Sequence, residues 1–150
     1  MPSAKTSYFV DTSILICAID PQEPEKRACA ADLLREMTNS GTLVLSPQSL
    51  NECYRVITGR RGLIPLKDAR RFIARLGPFC TAPAGFPVTR LAWRIQDACD
   101  FNWWDCLLLA SASLAECKLF FSEDLQHGRR VEGLTIMNPF KVERPFDLSP

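Results

Sequence analysis

The sequence predicts an α/β fold with a mostly parallel central sheet of four or five strands, flanked by helices on both faces. Two observations carry that expectation. Short apolar runs rich in β-branched and aromatic residues recur at Tyr8-Phe9-Val10, Thr42 to Leu45, Lys118 to Ser122 and Leu134 to Met137, which is strand composition. Between them lie longer segments whose apolar residues repeat at helical spacing. Short apolar strands alternating with helices imply parallel pairing beneath two helical layers.

The elements follow in order. Residues 6–11 form the first predicted strand, and an apolar run from Ile14 to Ile19 follows Asp11-Thr12-Ser13. The turn at 20–24, DPQEP, leads to a predicted helix from Glu25 to Thr38 with Ala28, Ala31, Leu33 and Leu34 at helical spacing, stopped by Asn39-Ser40-Gly41. After the strand at 42–45, Ser46 is placed as N-cap and Pro47 as first helical residue of SPQSLNECYRVITGRRG. Leu66 to Leu76 predicts a short helix ended by Gly77-Pro78; CTAPAGFPV reads equally as strand or extended loop; Val88 to Cys99 predicts a helix with Leu91, Ala92, Ile95 and Cys99 on one face. Asn102 is positioned to cap WWDCLLLASASLAEC, the most apolar helix of the chain. Two strands, 118–122 and 134–137, precede a tail at 139–150 that is expected to be extended.

The totals bound the rest. At 150 residues, with 47% hydrophobic and 23% charged residues, residues 1–150 are expected to form one globular domain with its core at about 6–140. No signal-peptide pattern and no bilayer-spanning apolar run is evident. The seven cysteines form no C-x-x-C pair and there is one histidine, so a zinc site is disfavoured and reduced thiols in a cytoplasmic protein are expected. The net charge of +1 neither demands nor excludes a nucleic-acid partner. His127 is assigned a structural or surface role, since no partner for nucleophilic catalysis accompanies it, and no phosphate-binding glycine loop is present.

Four acidic residues share one setting. Asp11 ends the first strand, Glu52 lies early in the helix after the second, Asp105 opens the most apolar helix, and Asp124 follows the strand at 118–122. Each has a plain structural explanation taken singly. Asp11 can cap a helix, Asp105 occupies the capping-box position after Asn102, Asp124 can begin a turn, and Glu52 can be a solvated helix residue. Taken together, a parallel sheet brings all four to the carboxyl edge of its strands, where sites form in such folds. Clustered carboxylates repel unless a cation neutralises them. An oxygen-only set suits Mg²⁺ or Mn²⁺, which polarises a phosphoryl oxygen and activates water, so phosphodiester hydrolysis is the chemistry the set supports best.

YFVDTSIL, SPQSLNECYRV, NWWDCLLLASA and LFFSEDLQHG, in that order and spacing, resemble PIN-domain proteins, in particular VapC-type ribonuclease toxins of bacterial toxin–antitoxin pairs. The resemblance spans roughly residues 6–140. It implies a PIN-like fold and a Mg²⁺- or Mn²⁺-dependent endoribonuclease that is homodimeric and held inactive by a cognate antitoxin. It makes Asp11, Glu52, Asp105 and Asp124 the catalytic set, with Asp11, Asp105 and Asp124 on the metal and Thr12, Ser13, Ser122 and Glu123 supporting them. Arg60, Arg61, Arg129 and Arg130 are candidate phosphate contacts because both pairs lie near acidic segments. Trp103 and Trp104 can stack on bases, but the favoured expectation is one packing in the core and one at an interface. A binding-only PIN-like domain that recognises RNA or protein and a phosphoryl-accepting receiver domain remain the competing readings. Position 13 is Ser, which disfavours a D-x-D phosphatase.

Overall fold

The computed structural model describes residues 6–60 and 62–143. The chain runs β1 (Tyr8–Val10), α1 (Thr12–Cys17), α2 (Pro24–Ser40), β2 (Leu43–Val44), α3 (Pro47–Ile57), α4 (Leu66–Leu76), α5 (Phe86–Ala98), α6 (Trp103–Leu114), β3 (Leu119–Phe121), β4 (Arg130–Val131) and β5 (Leu134–Met137). The strands form one sheet in the order β2-β1-β3-β5-β4. Pairing is parallel from β2 through β5, and only β4 runs antiparallel. The expected sheet of mostly parallel strands between helices is therefore observed.

Alternation along each strand splits the interior into two cores. Val10, Phe121, Leu43 and Met137 point to the face covered by α1, α2, α3 and α4, where Ile14, Leu33, Met37 and Ile57 pack. Phe9, Phe120, Val44 and Ile136 point to the opposite face, under α5 and α6 with Ile95, Leu108 and Leu109. Phe9 and Phe120, partners in register, stack with ring centroids 5.2 Å apart across β1 and β3. The two strands whose ends carry Asp11 and Ser122 are thus fixed from both sides.

Helix starts follow local chemistry. Asp11 caps α1 and Ser46 caps α3 by accepting from Ser49 N, with Pro47 at the first position as expected. Asn102 caps α6, accepting from Asp105 N at 2.9 Å. Gly41 closes α2 with φ of 70°, the left-handed conformation glycine adopts without cost.

Several expectations are corrected. The buried stripe of α2 is Ala30, Leu33, Leu34 and Met37, whereas Ala28 is exposed, because Met37 completes the i, i+3, i+4, i+7 face toward β1 and β2. Arg130-Val131, for which no strand is expected, forms β4, and Glu132 (φ 47°) and Gly133 (φ 84°) form the two-residue hairpin loop to β5. Pro139–Lys141, expected as extended tail, is a 3₁₀ turn in which Asn138 accepts from Phe140 N at 2.9 Å while Phe140 packs on the first core. In the ambiguous 80–88 segment, Cys80 makes a single parallel bridge to Leu45, and Phe86 and Pro87 already belong to α5. The tail beyond 143 lies outside the described residues. Among the described residues, no helix is long and apolar enough to cross a membrane.

Phe120 is fully buried at the centre of this arrangement. Phe120→Ala is expected to lower unfolding free energy by about 3–5 kcal/mol, read from urea denaturation. A loss below about 1 kcal/mol, the level of a surface substitution, would contradict the packing described.

Candidate metal centre

The sheet order places the site. From β1 the chain passes to β2 on one side, and β3 lies on the other. The carboxyl ends of β1 and β3 therefore flank a reversal in strand order, where parallel α/β sheets open a crevice. That crevice is a cleft of about 740 Å³ lined by Asp11, Glu52, Asp105, Glu123 and Asp124 together with Thr12, Ser13 and Trp104.

Asp11 is the innermost of these, at 4% exposure. Thr12 N donates to one carboxylate oxygen at 2.7 Å, and the other accepts from Ser122 Oγ at 2.8 Å and Ser13 Oγ at 3.4 Å. Ser122, just past β3, also accepts from Asp124 N at 3.2 Å and Leu125 N at 3.3 Å. One buried hydroxyl thus fastens Asp11 and shapes the turn that presents Asp124. Thr12 extends the network by donating from Oγ1 to Glu52 at 3.0 Å. Gln48 Nε2 donates to the other Glu52 oxygen at 2.9 Å. Asn102 Nδ2 donates to Asp105 at 2.8 Å, reciprocating the cap, so this carboxylate closes a capping box and lines the cleft at once.

Burial pushes the Asp11 carboxyl up to about 7, with the charges of Asp105 and Asp124 adding to the rise and the Ser122 hydrogen bond opposing it. Asp105 is also raised, first by burial and then by Asp124 and Glu52, against the Asn102 bond. These shifts have the sign expected where carboxylates face one another without a cation between them.

Glu123 is turned to another partner. It forms an ion pair with Lys26 of α2 and accepts a long contact from Cys17 Sγ at 3.5 Å, while its backbone N donates to Ser13 Oγ at 3.4 Å. Lys26 also lies 5.6 Å from the centre of the Phe140 ring. Burial, with the Glu123 charge, pushes the Cys17 thiol up to about 12, so it is no nucleophile at neutral pH. All seven cysteines are free thiols. His127 Nδ1 accepts from Asn138 N at 3.0 Å, a structural bond.

Of the proposed arginine contacts, Arg60, Arg129 and Arg130 do not line this cleft. Arg129 lies over the Phe101 ring at 4.6 Å and Arg130 is on the outermost strand, at the far edge of the sheet. Arg60 is exposed past α3 and does not line the cleft, and Arg61 lies outside the described residues. The arginine that does line it is Arg55, which sequence reading passed over. Three residues after Glu52, it falls on the same helix face, a signal legible from spacing alone. Gln48 and Asn51 also line the cleft. Of the adjacent pair Trp103-Trp104, Trp103 packs on the second core and Trp104 is exposed in the cleft.

The model of the PIN domain matches residues 8–133. The chain belongs to the PIN-domain family. Its fold is similar to that in the structure of VapBC2 from Rickettsia felis bound to a DNA fragment from their promoter, with a TM-score of 0.65 at 12% identity, covering 89% of this chain and 98% of the other. It is also similar to FitAcB from Neisseria gonorrhoeae, with a TM-score of 0.63 at 16% identity and coverages of 90% and 99%. Comparison with curated protein sequences finds no significant match.

The donors fit a hard divalent cation. Each carboxylate here supplies oxygen only, and among the described residues the one ion pair to a cleft carboxylate is that of Lys26 with Glu123, which leaves Asp11, Glu52, Asp105 and Asp124 without one. Among the described residues, no group of three His, Cys, Asp or Glu is already drawn together as a cage. A divalent ion that retains several waters and takes one or two carboxylates directly suits such an open arrangement.

Two measurements probe the site. With its carboxyl raised from 3.8 to about 7, the folded cation-free protein keeps a proton that the unfolded chain has already lost. Its contribution to stability is whole below pH 3.8 and fades as pH rises through about 7. Asp11→Asn removes that titration. In EDTA the variant should gain on the native chain from pH 4 to 8, by at most about 4 kcal/mol, and Mn²⁺ should narrow the gap by stabilising the native chain alone. Thermal unfolding curves that stay parallel across this range would contradict the assignment. Ser122→Ala removes the bond that holds Asp11 down, so calorimetric Mn²⁺ uptake should require higher pH than in the native chain. An unchanged midpoint would mean that Ser122 does not control Asp11.

Proposed function

We propose that this chain is a Mg²⁺- or Mn²⁺-dependent endoribonuclease, the toxin of a toxin–antitoxin pair, working in the cytoplasm as one nuclease domain. The observation that carries the reading is the convergence of Asp11, Glu52, Asp105 and Asp124 on one cleft of a PIN-domain chain. They come from four separate segments, after β1, in α3, in α6 and after β3. Fold similarity to VapBC2 and FitAcB supports an antitoxin as partner. A homodimer follows from the same family reading.

In this proposal Asp11, Asp105 and Asp124 hold the ion, which when bound polarises the scissile phosphoryl group and lowers the pKa of the attacking water. Thr12 and Ser122 fix the orientation of Asp11, and Ser13 braces the turn at Glu123. Glu52, held by Thr12 and Gln48, takes the proton from the attacking water. With Glu123 paired to Lys26, four carboxylates against one arginine among the described residues make the cleft hostile to a polyanion. RNA binding, and not only cleavage, is therefore expected to need the cation.

The test is cleavage of RNA by the purified chain with Mn²⁺ or Mg²⁺ and in EDTA. Cleavage is expected only with the ion, and Asp11→Asn, folded by circular dichroism, is expected to abolish it. Equal cleavage by both proteins, or cleavage in EDTA, would overturn the mechanism. Expression without the antitoxin should arrest growth, and Asp105→Ala should relieve the arrest. Arrest that persists with a folded, cleavage-dead variant would place the effect in binding.

A further inference from the structure

The lip of the cleft carries an indole that the carboxylate chemistry leaves unused. Trp104 is 61% exposed, although its neighbour Trp103 packs into the core beneath α5 and α6. It opens α6 immediately before Asp105, and both residues line the same cleft. Its backbone is pinned. Gln48 Nε2 donates to the Trp104 carbonyl at 3.0 Å as well as to Glu52 at 2.9 Å, so one amide ties the first turn of α6 to the carboxylate of α3. On α3, three residues beyond Glu52, exposed Arg55 lines the cleft and has no ion-pair partner among the described residues. Lys26, by contrast, is already engaged with Glu123.

An aromatic face, a free guanidinium and a candidate phosphate-activating centre around one cleft match the three parts of a nucleotide chain. We infer that Trp104 is the stacking platform for an unpaired base beside the scissile phosphate, with Arg55 contacting an adjacent phosphate and Gln48 holding the two in register. This rests on the ribonuclease reading for the identity of the phosphate. A base in a duplex has both faces covered by its neighbours, so the platform selects single-stranded segments. It is tolerant of base identity, because every base has a π-face. Trp104 is then a specificity-determining residue, and Gln48 is a positioning residue.

Binding is read in the Glu52→Gln background, where the proton acceptor is lost but the three cation ligands remain, by anisotropy of a labelled single-stranded RNA octamer and of the same strand in a blunt duplex, with Mg²⁺ present. Adding Trp104→Ala should weaken the single strand about tenfold to a hundredfold and leave duplex binding unchanged, and Trp104→Phe should recover most of the loss. Arg55→Ala should weaken both forms and reduce the salt dependence by about one released ion. In the chain with Glu52 intact, Trp104→Ala should raise KM for RNA with kcat nearly constant. Single-strand affinity unmoved by Trp104→Ala, or equal loss on single strand and duplex, overturns the platform. If the intact chain cleaves RNA and Trp104→Ala leaves KM unchanged, the platform falls while the ribonuclease reading stands. If no metal-dependent cleavage occurs but Trp104→Ala still loses the single strand selectively, the ribonuclease reading falls and the platform stands.

Discussion

The arrangement at the cleft hangs on one hydrogen bond, from the Ser122 hydroxyl to the Asp11 carboxylate at 2.8 Å. It joins residues 111 positions apart in sequence at the carboxyl ends of two neighbouring strands. The sheet brings them there without help from the side chains: Asp11 N donates to Phe121 O and Ser122 N to Met137 O, both at 2.9 Å. With its donor on Asp11 and its lone pairs taken by Asp124 N and Leu125 N, the Ser122 hydroxyl is fully committed. No other residue type of that size supplies one donor and two acceptors at a buried point. The position of Asp124 is therefore a consequence of how Asp11 is held.

Magnitudes decide between the two roles open to Asp11. A side-chain cap at the start of a helix is worth about 1 kcal/mol, and Ser or Asn supplies it as well as Asp. Raising a buried carboxyl from 3.8 to about 7 corresponds to about 4 kcal/mol against its charged form. A carboxylate at position 11 therefore costs the cation-free fold more than the cap returns, and a neutral residue would serve α1 better. The surplus cost makes sense where a bound cation reverses it. Asp105 is a weaker version of the same case, since Asn102 stabilises its charge and the capping box uses its backbone.

What was legible in the sequence was written in local chemistry. Ser46-Pro47 and Asn102 announce helix starts from within their own first turns, and the strands at Tyr8–Val10 and Leu119–Phe121 carry enough apolar bulk to be unmistakable. The order of the four acidic residues along a parallel sheet was enough to expect their convergence. Features set by tertiary context escaped. β4 has only two residues and exists because the Glu132-Gly133 loop folds it against β5. Pro139–Lys141 turns because Phe140 finds the first core. The basic pairs were chosen for nearness in sequence to the acidic motifs, but Arg129 and Arg130 belong to the far edge of the sheet, beyond β5. Arg55 was within reach of a spacing argument, since a residue three places from a cleft-facing glutamate faces the cleft too.

The distribution of charge around the cleft explains why the overall balance of 18 basic and 17 acidic residues says so little. Five of the acidic side chains line the cleft, while Arg35 and Arg94 pair with Asp32 and Glu132 away from it. A near-neutral total thus hides a cleft in which carboxylates outnumber cations, with Arg55 at its wall unpaired among the described residues. Such a cleft gains nothing from long-range attraction of a polyanion. It has to recognise its ligand at close range, through a cation at the carboxylates, through Arg55 and through the aromatic face of Trp104. On the proposed ribonuclease reading, that ordering of forces makes occupancy by the cation a condition for RNA capture, and it leaves short-range stacking to distinguish an unpaired strand from a duplex of the same charge.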